Sequence, residues 1–191
     1  MLRKALLFVP ALFAVVAFSS DAFAIKKVYS LNAGLNQPVF DDGSDYEGGL
    51  NIEGVVQVPI PFPLFDLELE GKLGANTFTR KGAGDNALLT RAAIGLRGGV
   101  NFAAYPYGYV NVGFGNLSGP WAHAKEGIWA PVGEIGIGLD ITAIPYIRIG
   151  LYGAYNHVML PEDGAYTSST DRDFQWLSYG LKIGYVDDGN D

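Results

Sequence analysis

The chain has 191 residues, a net charge of −7 and no cysteine. The acidic balance argues against a nucleic-acid partner, which needs a basic footprint, and without cysteine the chain is neither a disulfide scaffold nor a lipoprotein. Glycine supplies 26 residues and aromatics 13%, but charged residues only 17%, a balance typical of β-barrels built from short strands.

At the N-terminus, Arg3 and Lys4 precede an apolar run from Ala5 to Phe18 that only Pro10 interrupts. Ser19, Ser20 and Asp21 then lead into the small-x-small sequence Ala22-Phe23-Ala24. This order predicts a secretory signal peptide over residues 1–24, cut after Ala24. The run is shorter than the ~20 residues a spanning helix needs. Residues 25–191 are then expected to form one domain, and no later segment approaches a spanning helix.

Eight runs with the two-residue period of a strand follow. The first, Val28 to Asn36, sets Tyr29, Leu31, Ala33 and Leu35 against Ser30, Asn32, Gly34 and Asn36. The second, Gly49 to Val58, sets Leu50, Ile52, Val56 and Val58 against Asn51, Glu53 and Gln57. In the third, Asp66 to Phe78, Leu67, Leu69, Leu73 and Ala75 oppose Glu68, Glu70, Lys72 and Asn76. The fourth, Leu88 to Phe102, places Arg91 and Arg97 opposite Ile94, Leu96, Val100 and Phe102. The fifth, Gly108 to Gly115, alternates Val110, Val112 and Phe114 with Tyr109, Asn111 and Gly113. The sixth, Trp129 to Ile141, alternates Ile135, Ile137 and Leu139 with Glu134, Gly136, Gly138 and Asp140. In the seventh, Ile147 to Asn156, Ile149, Leu151 and Tyr155 oppose Arg148, Gly150, Tyr152 and Asn156. The eighth, Phe174 to Tyr185, sets Leu177, Tyr179, Leu181, Ile183 and Tyr185 against Trp176, Ser178, Gly180, Lys182 and Gly184.

No charged residue falls on the apolar parity of any run. A soluble barrel would alternate too, but its outer face would be dense in Lys, Glu and Thr. Here the polar parity is rich in Gly, Ala and Asn, residues small enough for a narrow lumen. The polar face is therefore expected to point inward and the apolar face at lipid. The connections support this. Compact Pro-containing pieces (Pro59 to Pro63, Ala104 to Tyr107, Ala143 to Tyr146) alternate with longer polar ones (Gln37 to Gly48, Thr79 to Asn86, Asn116 to Gly127, Met159 to Arg172). That is the asymmetry of periplasmic turns and external loops. Tyr29, Phe102, Tyr146 and Tyr185 fall at run ends on the turn side, and Phe114, Trp129 and Tyr155 near the loop side, as interfacial girdles require. The fold class expected is all-β, an eight-stranded antiparallel up-and-down transmembrane β-barrel.

This arrangement resembles the small eight-stranded outer-membrane barrels of the OmpX, opacity-protein and YfaZ type. The most specific local likeness is in the last run. Ser178-x-Gly180-x-x-Ile183-x-Tyr185 resembles the C-terminal signal read by the barrel-assembly machinery, although Val186 to Asp191 follow it where such a signal ends in Phe. The resemblance implies assembly in the outer membrane of a diderm bacterium. It also implies contact with outer-membrane lipids and lipopolysaccharide, and binding of host or envelope ligands through the loops.

The lumen parity carries Glu53, Glu68, Glu70, Glu134 and Asp140 against Lys72, Arg91, Arg97, Arg148 and Lys182. Charges in a narrow barrel are costly unless paired, so these ten are expected to form a plug rather than an ion path. The function expected is structural or surface-interactive. The alternatives are porin-like or OmpW-like passage of small or apolar solutes, and lipid A modification. Outer-membrane lipid A deacylases and palmitoyltransferases use the same architecture. His157 lies near Glu162, Ser168 and Ser169, but neither it nor His123 has a serine two residues on. No catalytic residue, cofactor or metal is expected. The acidic cluster Asp41, Asp42, Asp45 and Glu47 lacks the spacing of a calcium loop and reads as a solvated loop.

Overall fold

The computed structural model describes residues 26–39, 46–82, 86–100, 104–119, 127–159 and 173–188. The expected signal peptide and Phe102 lie outside these residues. Eight long strands follow one another: β1 (Lys27–Pro38), β2 (Gly49–Ile60), β3 (Asp66–Arg80), β4 (Asn86–Gly99), β5 (Tyr105–Ser118), β6 (Ile128–Ile144), β7 (Ile147–Met159) and β8 (Asp173–Asp187). Each pairs antiparallel with its sequence neighbours. β1 and β8 close the ring in unbroken register from Lys27↔Asp187 to Pro38↔Trp176. A short strand, Tyr46–Glu47, pairs with Arg80 and Thr79 at the loop end of β3.

Closure removes the edges that an open sheet would expose, and the side-chain period then puts alternate residues on the two faces. The faces are inverted relative to a soluble protein. Ile137 is 72% exposed and Leu181 62%, whereas Arg97 is 1% and Lys72 2% exposed. A continuous apolar outer surface of this extent has no place in water and is the surface a membrane barrel turns to lipid. Among the described residues no helix is long and apolar enough to span a bilayer; the crossing is made by strands. A closed barrel of this kind is expected to run differently in a detergent gel before and after boiling. Identical migration, with the protein in the soluble fraction, would refute the membrane assignment.

Two of the three compact connections are shorter than the sequence suggests, and the third is displaced, because β4 ends at Gly99 instead of running on to Phe102. Ala104 to Tyr107 is not a turn: β5 begins at Tyr105, because Pro106 suits an extended backbone at a strand start and lets Tyr105 and Tyr107 both face the lumen. Pro59 and Ile60 still pair with Glu68 and Leu67. β6 continues to Ile144, past a register irregularity between Thr142 and Ile144, so only Pro145 and Tyr146 make the turn. Tyr146 takes φ +70° there, a left-handed conformation unusual for a side chain of its size. Its carbonyl accepts a 2.7 Å hydrogen bond from Val186 N, tying the turn to β8. On the loop side, β3 runs to Arg80, β4 starts at Asn86 and β7 runs to Met159, into segments read from sequence as loops.

Candidate functional site

The lumen is layered along the barrel axis, and each layer follows from which residues occupy the inward parity. Midway along, β2, β3, β4 and β6 bring Glu53, Glu70, Lys72, Arg91 and Glu134 together. Lys72 Nζ lies 3.1 Å from Glu134 Oε1 and 3.2 Å from Glu70 Oε1. The Arg91 guanidinium pairs with Glu53, stands 3.4 Å from Glu134 Oε1 and donates to Asn156 Oδ1 at 2.5 Å. The carboxylates also accept from neutral donors. Gln57 and Asn111 donate to Glu70, Asn111 and Tyr109 to Glu134, and Asn32 to Glu53. Such shared, multiply bonded carboxylates offset the desolvation that burial imposes on charge.

Nearer the turn end a second group forms around Asp140. Arg97 Nη2 lies 2.5 Å and Lys182 Nζ 2.9 Å from its Oδ2. Glu68 sits 3.4 Å from Arg97 Nε and 3.7 Å from Arg148 Nη1. Tyr105, Tyr107 and Tyr109, alternate residues of β5, form a ladder beside these charges. Arg97 lies 3.4 Å from the Tyr107 ring centroid and Lys72 Nζ 3.9 Å from that of Tyr109, distances that favour cation–π attraction. The phenol ends of the rings sit over neighbouring glycines. A Cβ on Gly138 would stand 2.2 Å from the Tyr107 hydroxyl, and one on Gly136 2.3 Å from the Tyr109 ring.

All ten lumen charges thus face inward within two contiguous networks. The residues of the C-terminal pattern divide between faces. Ser178 is buried and bonds to Asn36, accepting from Asn156 and Trp176 Nε1. Gly180 meets Gly34 across the β1–β8 seam. Ile183 and Tyr185 are exposed on the lipid face.

Sequence reading missed the layer at the loop end. Phe78, Ala87, Leu89, Leu117, Ala130, Val132, Val158, Phe174 and Trp176 form a buried apolar cluster with Tyr46 against it. Phe78 from β3 meets Phe174 and Trp176 from β8 edge-on, at centroid separations of 5.0 and 5.6 Å. The signal was present as apolar residues on the lumen parity at the loop end of six strands. These residues share their parity with the lumen charges, so alternation alone does not set them apart.

On the outer rim His157 Nε2 lies 3.3 Å from Asp173 Oδ2, and Tyr155 donates to Gln175 at 2.5 Å. His123, Glu162, Ser168, Ser169, Asp41, Asp42 and Asp45 lie outside the described residues; Glu47 belongs to the short strand.

Ring closure, a charged lumen and an apolar exterior define the class: a small eight-stranded transmembrane barrel of the bacterial outer-membrane type. No protein-family model matches the sequence, and no curated protein matches it. Solved structures do. Ail, the attachment invasion locus protein of Yersinia pestis, is similar at a TM-score of 0.51 and 14% identity, over 85% of this chain and 99% of Ail. Ail in complex with the heparin analogue sucrose octasulfate gives 0.50 with the same identity and coverage. Neisserial surface protein A gives 0.54 at 7% identity, over 84% of this chain and 96% of its own. At these identities the likeness is one of fold.

Proposed function

We propose that this chain is a structural or surface-interaction barrel of the outer membrane, with a filled lumen and its specificity in the long external segments. The observation that carries the reading is the burial of balanced charge. Five carboxylates and five cations fill the bore (Glu53, Glu68, Glu70, Glu134 and Asp140 with Lys72, Arg91, Arg97, Arg148 and Lys182). Nine of the ten are counted among the buried residues; only Arg148 is partly exposed. A rigid, filled barrel leaves binding to its loops. The partners on this reading are outer-membrane lipids, lipopolysaccharide and the assembly machinery, with host or envelope ligands at the loops. The ligand in the Ail complex, sucrose octasulfate, is anionic. Asp41, Asp42, Asp45 and Glu47 give the first long segment of this chain the same sign as such a ligand.

Tyr46, Glu47 and Asp173 are strand residues, so the segments to remove are 41–45, 121–126 and 162–172. Their deletion is expected to leave a heat-modifiable barrel while abolishing adhesion or envelope phenotypes of the parent; loss of the barrel would make the loops part of the fold instead. The same reading holds that the protein is not an enzyme, with Asp173 as a rim partner of His157. Lipid A from cells with and without the gene is expected to give one mass profile. An acyl chain lost or gained, and restored by His157→Ala, would establish catalysis.

A further inference from the structure

The apolar cluster and the polar layer under it have opposite relations to water, and they meet directly, Asn76 pairing with Leu89 and Asn156 with Trp176. Asn76 is fully buried, and among the described residues neither its Oδ1 nor its Nδ2 has a hydrogen-bond partner. Asn51, its cross-strand neighbour, has an unpartnered Nδ2, and Arg91, two residues beyond the Leu89 that pairs with Asn76, has an unpartnered Nε. All three are inward-facing and at most 5% exposed. Buried amide and guanidinium groups left without protein partners are the groups that internal water satisfies. Two residues further along β3, roughly 7 Å by strand rise, Phe78 begins the apolar layer. There the rings of β3 and β8 meet in the bore, and aliphatic side chains from β4, β5, β6 and β7 complete the buried cluster. Trp176 is held in place by its Nε1 bond to Ser178 at 3.0 Å. A constriction lined only by apolar groups excludes water and solute without any charge.

We infer that the apolar cluster is a watertight outer seal lying outside the ion-pair plug, and that it keeps the external solution from the buried polar groups and the water held among them. The inference rests on the reading that the lumen is closed. The chain contains no cysteine, so single thiols report access cleanly. Asn76→Cys removes a side chain with no hydrogen bond to lose, and Glu47→Cys provides an exposed thiol at the loop end. Both are reconstituted in liposomes, with Glu47→Cys reporting the fraction whose loop end faces a charged, membrane-impermeant methanethiosulfonate. With the seal intact, the thiol of Asn76→Cys is expected to stay unmodified while that of Glu47→Cys is consumed. Adding Phe174→Ala and Trp176→Ala is expected to raise its rate at least tenfold. Should that variant not fold, Leu89→Ser with Leu117→Ser keeps the rings and makes the layer wettable, with the same expected gain. Modification of Asn76→Cys at the rate of Glu47→Cys with the seal intact overturns the inference. So does continued protection in a folded variant with the seal opened. Planar-bilayer recording of the unaltered protein tests the closed-lumen reading separately: steady conductance refutes that reading, while silence alongside a reactive Asn76→Cys thiol overturns the seal alone.

Discussion

Replacing Arg91 with Met is expected to destabilise the barrel by about 3–5 kcal/mol, the range for removing one partner of a buried ion pair. The side chain serves Glu53, Glu134 and Asn156 at once. Without it, Glu53 keeps, among the described residues, only the 3.4 Å bond from Asn32, and Glu134 keeps Lys72, Tyr109 and Asn111. The stranded group is therefore Glu53. This predicts a partial rescue: Arg91→Met combined with Glu53→Gln loses less than the sum of the two single changes, because the double variant leaves no unpaired carboxylate. Urea titration of the refolded barrel in lipid, followed by gel mobility, measures all four proteins. A loss below about 1 kcal/mol for Arg91→Met would mean that the guanidinium contributes nothing beyond an exposed pair.

Gly180→Val is expected to abolish the closed barrel. A Cβ at this position would stand 2.2 Å from the Ala33 carbonyl oxygen and 2.5 Å from the Gly34 Cα. These are backbone atoms of the facing strand, which cannot swing aside as a side chain would. Because Gly180 also belongs to the C-terminal pattern resembling an assembly signal, the same change on the other strand separates two causes. Gly34→Val makes the equivalent clash, 2.2 Å from the Tyr179 carbonyl oxygen, and lies outside that pattern. Refolding both variants from urea into detergent micelles, where no assembly machinery acts, is expected to give no heat-modifiable band for either. A Gly180→Val barrel that closes normally in detergent would show that steric fit at the seam is not what this glycine supplies.

Much of the architecture was legible in the sequence because two-residue alternation is a strict consequence of the pleat. Glu68, Glu70 and Lys72 on one parity and Leu67, Leu69 and Leu73 on the other leave only one way to orient β3 once lipid is the solvent. Strand ends were less legible. Pro106 reads as a turn residue, yet φ near −65° is compatible with extended backbone, and the chain carries on through it. The pairings within the lumen were not legible at all. Which carboxylate meets Arg91 depends on strand stagger around the ring, which brings residues such as Glu53 and Arg91 together from non-adjacent strands. The apolar layer was hidden for a different reason. Phe78, Leu89, Leu117, Val132 and Trp176 sit on the parity that the charges had labelled polar, and parity assigns a face, not a height along the barrel.

The seam between β1 and β8 sets the order in which this fold can be completed. Lys27 pairs with Asp187, and Pro38 with Trp176, so the strand nearest the start of the chain acquires its second neighbour only when the last strand arrives. Until then β1 presents a row of unsatisfied N–H and C=O groups, and hydrocarbon offers them nothing to bond to. Seven strands in lipid are thus not seven-eighths of a barrel but an arrangement with two costly edges. Bringing partners together across nearly the whole chain is a slow step, with its loop-closure entropy lost before the seam forms. Closing the β1–β8 seam satisfies both edges at once, so the last pairing decides whether the whole sheet is at home in lipid.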